Sequence, residues 1–134
     1  MLEWLEIFCR WVLGLQFLFW GLNGFFHWRP IPPSAQPIND FTEACIKTRF
    51  IMPTVKIFEI AFGALLLTGK ATIVAWAALA PIVFIISGLH LLYNKKYWEV
   101  LLPITLPFLL ILVLNFEKWQ NLLLPESLFH KILG

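Results

Sequence analysis

Lys56, Glu59 and His90 are chemically conspicuous because each interrupts a stretch that is otherwise apolar. Lys56 and Glu59 lie in PTVKIFEIAFGALLLTG (53–69), and His90 lies in ATIVAWAALAPIVFIISGLHLLY (71–93). Asn23 and His27 fall at the end of the run that begins WVLGLQFLFW. A charged side chain inside a membrane helix costs at least ~2.5–3.5 kcal/mol, so such groups need partners. Lys56 and Glu59 share one helix face and can pair; either Lys56 or His90 can neutralise Glu59. Three chemistries fit this set. Interhelical hydrogen bonds, each worth ~0.6 kcal/mol, would fix helix register. A pocket for a quinone carbonyl or a lipid group would use Lys or His as donors and Phe or Trp as walls. A proton relay or acid–base pair is the third.

Other reactive groups are sparse. There is no CxxC, no Cys/His metal spacing and no GxGxxG, so neither a metal nor an intrinsic cofactor is expected. Cys9 and Cys45 flank the first apolar run, whose helix would part them by roughly 25 Å, well beyond the ~6 Å Cα spacing of a disulfide. Both are read as free, inert thiols. Arg10 is expected to snorkel toward headgroups, with an acid such as Glu117 as the alternative partner.

The composition says what surrounds these residues. The chain has 134 residues, 60% hydrophobic and only 13% charged, against about 25% charged in a soluble domain. Its mean hydropathy is +0.79. Too little polar material exists to coat a soluble globule of this size. The net charge of +2 argues against nucleic acid as a partner. The lipid bilayer is the expected environment.

Four spans are expected, at about residues 2–26, 53–69, 71–93 and 100–116 of a single domain, 1–134. The first is long enough to cross a ~30 Å hydrocarbon core. Gly14 and Gly21 share a face on which another helix can approach closely. The proline-rich stretch HWRPIPPSAQPIND (27–40) reads as a non-helical loop, and FTEACIKTRF (41–50) as a short interfacial helix. Gly69 is the expected stop of the second span. With only Lys70 between them, the second and third spans must form an antiparallel hairpin. Pro81 is expected to kink the third. The tail, 117–134, is expected to lie along the membrane surface. Trp4, Trp28, Tyr93, Tyr97, Trp98 and Trp119 fall near span ends, as an interfacial belt requires. Basic residues divide evenly between the two sides, so charge sets no orientation. This topology brings Asn23, His27, Lys56, Glu59 and His90 into one half of the bilayer, beneath the proline-rich loop.

The run GLNGFFHWRPIPP (21–33), then KIFEIAFGALLLTG (56–69), then LAPIVFIISGLH (79–90), resembles the DoxX-like family of small membrane proteins. Thr48, Pro53, Lys56, Glu59, Gly63 and Gly69 match its pattern in order. The likeness covers residues 10–93 well and the fourth span by hydropathy alone. It implies an all-α four-helix bundle in the bacterial cytoplasmic (inner) membrane, with a Pro-rich loop between helices 1 and 2. Some relatives are associated with quinone-linked sulfur oxidation, others with oxidative-stress complexes. The expected role is an accessory or scaffold subunit without catalysis of its own, its partners being other membrane subunits or further copies of the chain. The alternative is binding of a quinone or small amphiphile at the Asn23, His27, Lys56, Glu59 and His90 cluster. Transport or proton conduction comes third, because no inverted repeat is present.

Overall fold

The structure is a computed structural model that describes residues 1–30 and 34–123. The expected surface position of the tail beyond residue 123 lies outside the described residues. Every regular element among the described residues is helical: α1 (Leu2–Phe26), α2 (Gln36–Lys47), α3 (Ile51–Thr68), α4 (Thr72–Tyr93), α5 (Trp98–Val100), a π-helical turn (Leu101–Thr105), α6 (Leu106–Leu114) and α7 (Phe116–Leu123). α1, α3 and α4 are long and apolar enough to cross a membrane, and a shorter apolar run covers Trp98–Leu114.

Helix ends follow local chemistry. α1 closes on His27, whose left-handed backbone (φ 54) turns its N–H onto Asn23 O at 2.8 Å. α3 ends on Gly69 at φ 74, the expected glycine stop. Residues Gly69 to Ala71 then join α3 to α4 as the expected hairpin. The reading of residues 27–40 as wholly non-helical is corrected: α2 already begins at Gln36. Pro37 falls in its first turn, where the missing N–H has no intrahelical acceptor to lose. Thr48 joins α2 to α3, its hydroxyl donating to Cys45 O (2.7 Å) and accepting from the Ile51 N–H (3.0 Å).

α1 and α3 run antiparallel in close contact. A Cβ on Gly14 would stand 2.8 Å from Gly63 O, and one on Gly63 would stand 3.0 Å from Gly14 O. Only glycines permit that approach, and the Gly14–Gly21 face expected from sequence is the one used. The core draws Cys9, Leu13 and Phe17 from α1, Leu66 from α3, Ala75, Leu79 and Val83 from α4, and Phe108 and Ile111 from α6. Spacing of four along α1 and α4 lines each set along one helix face. The opposite faces carry exposed Phe84 and Val113, as expected of helices bathed in hydrocarbon.

The last apolar run is not one regular helix. Pro103 and Pro107 each lack an N–H, and the chain widens into the π turn, which contains Pro103 and ends two residues before Pro107. The carbonyl of Pro103 would ordinarily accept from residue 107, which is proline. Gln16 of α1 supplies the donor instead, its Nε2 standing 2.6 Å from Pro103 O. Trp76 stacks on Phe108 with centroids 4.2 Å apart and donates its Nε1 to Phe108 O.

Arg10 is held within the bundle. It pairs with Glu6 at 2.9 Å, one turn earlier, and donates to Leu66 O at 2.9 Å. Asn115 reaches the same carboxylate, with its Nδ2 3.3 Å from Glu6 Oε1. At the end of α3 the Leu66 carbonyl accepts only a long bond from the Gly69 N–H (3.4 Å), and Arg10 supplies a second, shorter donor.

Candidate functional site

A cleft of about 1230 Å³ opens at the other end of α1, and all five residues singled out by sequence line it. Four helices build it by the same device. α1 contributes Trp20, Asn23, Gly24 and, just past its end, His27. α3 contributes Met52, Val55, Lys56 and Glu59. α4 contributes Ile82, Ile85, Ile86 and Leu89, with His90 beside them. α2 contributes Ile38, Phe41, Thr42 and Cys45. Each set follows the i, i+3, i+4, i+7 spacing that lies along one helix face. The cleft therefore follows from helix periodicity in four elements, not from one irregular loop.

Lys56 and Glu59 form the expected ion pair, Nζ to Oε2 3.1 Å, with side chains only 14% and 5% exposed. Between Lys56 and His90 as partner for Glu59, the geometry selects Lys56. Its stem crosses α1 at Gly24, where a Cβ would come within 2.7 Å of Lys56 Cγ and Cδ. Gly24 is thus the gap through which the lysine reaches the acid.

His90 is held separately by Asn94, whose Nδ2 is 2.9 Å from His90 Nδ1. Asn94 Oδ1 accepts from the Lys96 N–H at 3.0 Å, which fixes the orientation of the amide. Asn94 must then donate to Nδ1, and the imidazole proton sits on Nε2. His90 offers the cleft a hydrogen-bond donor.

Asn23 is 3% exposed, and its amide is fully engaged. It donates to Arg29 O at 2.9 Å and accepts from the Arg29 N–H at 2.7 Å. Its part is to fix the backbone that follows α1. His27 lines the cleft from its left-handed position and has no side-chain hydrogen bond among the described residues. The five residues share one cleft, then, but only Lys56 and Glu59 touch each other directly.

Sequence reasoning missed Arg29 and Arg49, which line the same cleft. Both lie in connections and were counted only as loop charge. The signal available was their position directly after α1 and α2, since residues at helix ends face whatever the helices enclose. Cys9 and Cys45 are free and buried, as expected. No group of three or more His, Cys, Asp or Glu suited to a metal occurs among the described residues. Comparisons with protein-family models, with curated proteins and with solved structures give no match to this chain.

The arrangement can do one thing readily. Its walls are isoleucine, leucine and phenylalanine. Its polar groups include a buried ion pair, a histidine donor, two arginines and the carboxylate of Glu43. A molecule with an apolar body and a polar head meets both kinds of surface at once.

Proposed function

We propose that this protein binds an amphiphile in the cleft between α1, α2, α3 and α4, with the polar head beside Lys56, Glu59 and His90 and the apolar body against α4. The observation that carries this reading is the convergence of four helical stripes on one cleft of about 1230 Å³, above the ~300–1,000 Å³ of common ligand sites. The sequence likeness to the DoxX-like family supports the wider setting: a four-helix bundle with a Pro-rich loop after its first helix, crossing the bacterial cytoplasmic membrane several times. Quinones and lipids are the two amphiphile classes such a membrane supplies. The many exposed apolar side chains need no protein partner to explain them, because lipid covers such faces. The amphiphile reading therefore stands ahead of an accessory subunit.

Native mass spectrometry of the protein in mild detergent, titrated with a short-chain ubiquinone and with phospholipid, tests the reading. His90→Ala is expected to weaken binding about tenfold, the equivalent of one good hydrogen bond. Glu59→Gln, which keeps the shape of the side chain, is expected to do the same. Unchanged affinity in both variants would refute the site.

A further inference from the structure

The charges around the cleft specify its ligand more closely. Each of its two lining carboxylates already has a lysine: Glu59 holds Lys56 at 3.1 Å, and Glu43 holds Lys47 at 3.1 Å. Arg29 and Arg49 line the cleft too, and neither forms an ion pair among the described residues. Among the described residues the cleft is thus lined by two guanidinium groups without an ion-pair partner, by the buried Lys56–Glu59 pair, and by Glu43, whose exposed pair with Lys47 lies outside the lining.

Both arginines emerge from fixed backbone. The Arg29 N–H and C=O are clamped by the buried amide of Asn23. Arg49 stands in the left-handed region at φ 56, where an L residue other than glycine or asparagine costs roughly 1–2 kcal/mol. A turn after a helix ordinarily takes glycine there. Here the strained position holds an arginine, and its N–H bonds back to Ile46 O at 3.1 Å. His27, at φ 54, is a second basic side chain carried into the cleft by a backbone better suited to glycine.

Guanidinium groups match the paired oxygens of a phosphate, and two of them lining one cleft favour an anion over a neutral carbonyl. We infer that the ligand is an amphiphile whose headgroup, besides its polar part at Lys56, Glu59 and His90, carries a phosphate-type anion held by Arg29 and Arg49, with an acyl chain along the Ile82, Ile85, Ile86 and Leu89 face. This assignment rests on the amphiphile-binding reading and narrows it.

The test measures binding of four probes to the full chain in mild detergent: phosphatidylglycerol, phosphatidylcholine, a short-chain ubiquinone and inorganic phosphate. Phosphatidylglycerol is expected to bind ~10-fold or more tightly than phosphatidylcholine or the quinone. Arg49→Gly, which relaxes the backbone and keeps the fold, is expected to erase that preference without lowering the melting temperature. Arg29→Gln is expected to halve it or more. Equal affinity for phosphatidylglycerol and the quinone, or an Arg49→Gly protein that keeps the preference, would overturn the anionic headgroup while leaving amphiphile binding intact. Inorganic phosphate that binds as tightly as phosphatidylglycerol would make a free anion the ligand and overturn the lipid assignment. Failure of all four probes to bind would remove both readings.

Discussion

At the scale of single residues, the charged groups buried in the protein are stable only as pairs. Glu59 is 4% exposed, and Lys56 is its ion-pair partner. Removing one member of a buried pair strands the other and costs ~3–5 kcal/mol, whereas replacing both with apolar groups is often neutral. Glu59→Leu alone is therefore expected to lower stability by about that amount. Lys56→Met with Glu59→Leu should recover most of it, as read from denaturant unfolding in micelles. A double variant no more stable than Glu59→Leu would show that Lys56 is not the relevant partner. The same logic applies to Arg10, whose loss leaves Glu6 with Asn115 alone and Leu66 O with only the long 3.4 Å bond from the Gly69 N–H. Arg10→Ala is expected to cost ~3–5 kcal/mol by the same assay. The Lys56–Glu59 pair was legible in sequence because charges are scarce in apolar runs and stand three apart there. The Arg10 contact was not, because its acceptor is a backbone carbonyl 56 residues away. Sequence names side chains, and it cannot show which main-chain groups a distant helix end leaves unsatisfied.

At the scale of elements, apolar length and glycine placement made α1, α3 and α4 legible. Both ends of the α3–α4 hairpin connection could be read from Gly69 and the single lysine after it. α2 was only partly legible: four prolines in 27–40 argued against a helix, yet one of them sits where a helix tolerates proline. What proline forbids depends on its position within a helix, and sequence alone left that position open. The α1–α3 contact gives a sharp test. Gly63→Ala would push a methyl group to 3.0 Å from both Gly14 O and Leu18 N, main-chain atoms that cannot move aside. It is expected to destabilise by ~1–3 kcal/mol. Gly88→Ala is the control, since nothing lies within 4 Å of its Cβ position. There the gain in helix propensity, about 0.5–1 kcal/mol, is expected to show as a slightly higher melting temperature. Equal behaviour of the two variants would mean that α1 and α3 are not packed this closely. Gln16 and Pro107 form a second testable unit. Pro107→Ala restores an N–H for Pro103 O, so Gln16→Leu should cost less in that background than in the native chain.

At the scale of the whole molecule, the polar residues collect at two levels, one at each end of α1. Arg10, Glu6 and Asn115 mark one level, and the Lys56–Glu59 cleft marks the other. Composition alone gave the membrane environment, but the number of crossings turns on the last apolar run. That run, Trp98–Leu114, is shorter than each of the three long helices. At ~1.5 Å per residue it spans roughly 25 Å, a little under a ~30 Å core. Its contacts decide how far it travels. Pro103 meets Gln16 midway along α1, and Asn115 meets Glu6 near the start of α1. The run thus climbs beside α1 to the level of Arg10 and Glu6, where α7 begins with Phe116. A segment that dipped into the membrane and returned would end beside the cleft instead. In the proposed bundle this run serves as the fourth crossing. Fusions of a compartment-sensitive reporter after residue 70, after residue 95 and after residue 134 test the count. The fusions after 70 and 134 are expected to report the same side, and the one after 95 the opposite side. A reporter after 134 that agrees with the one after 95 would reduce the protein to three crossings and turn the π-helical turn into the apex of a re-entrant segment.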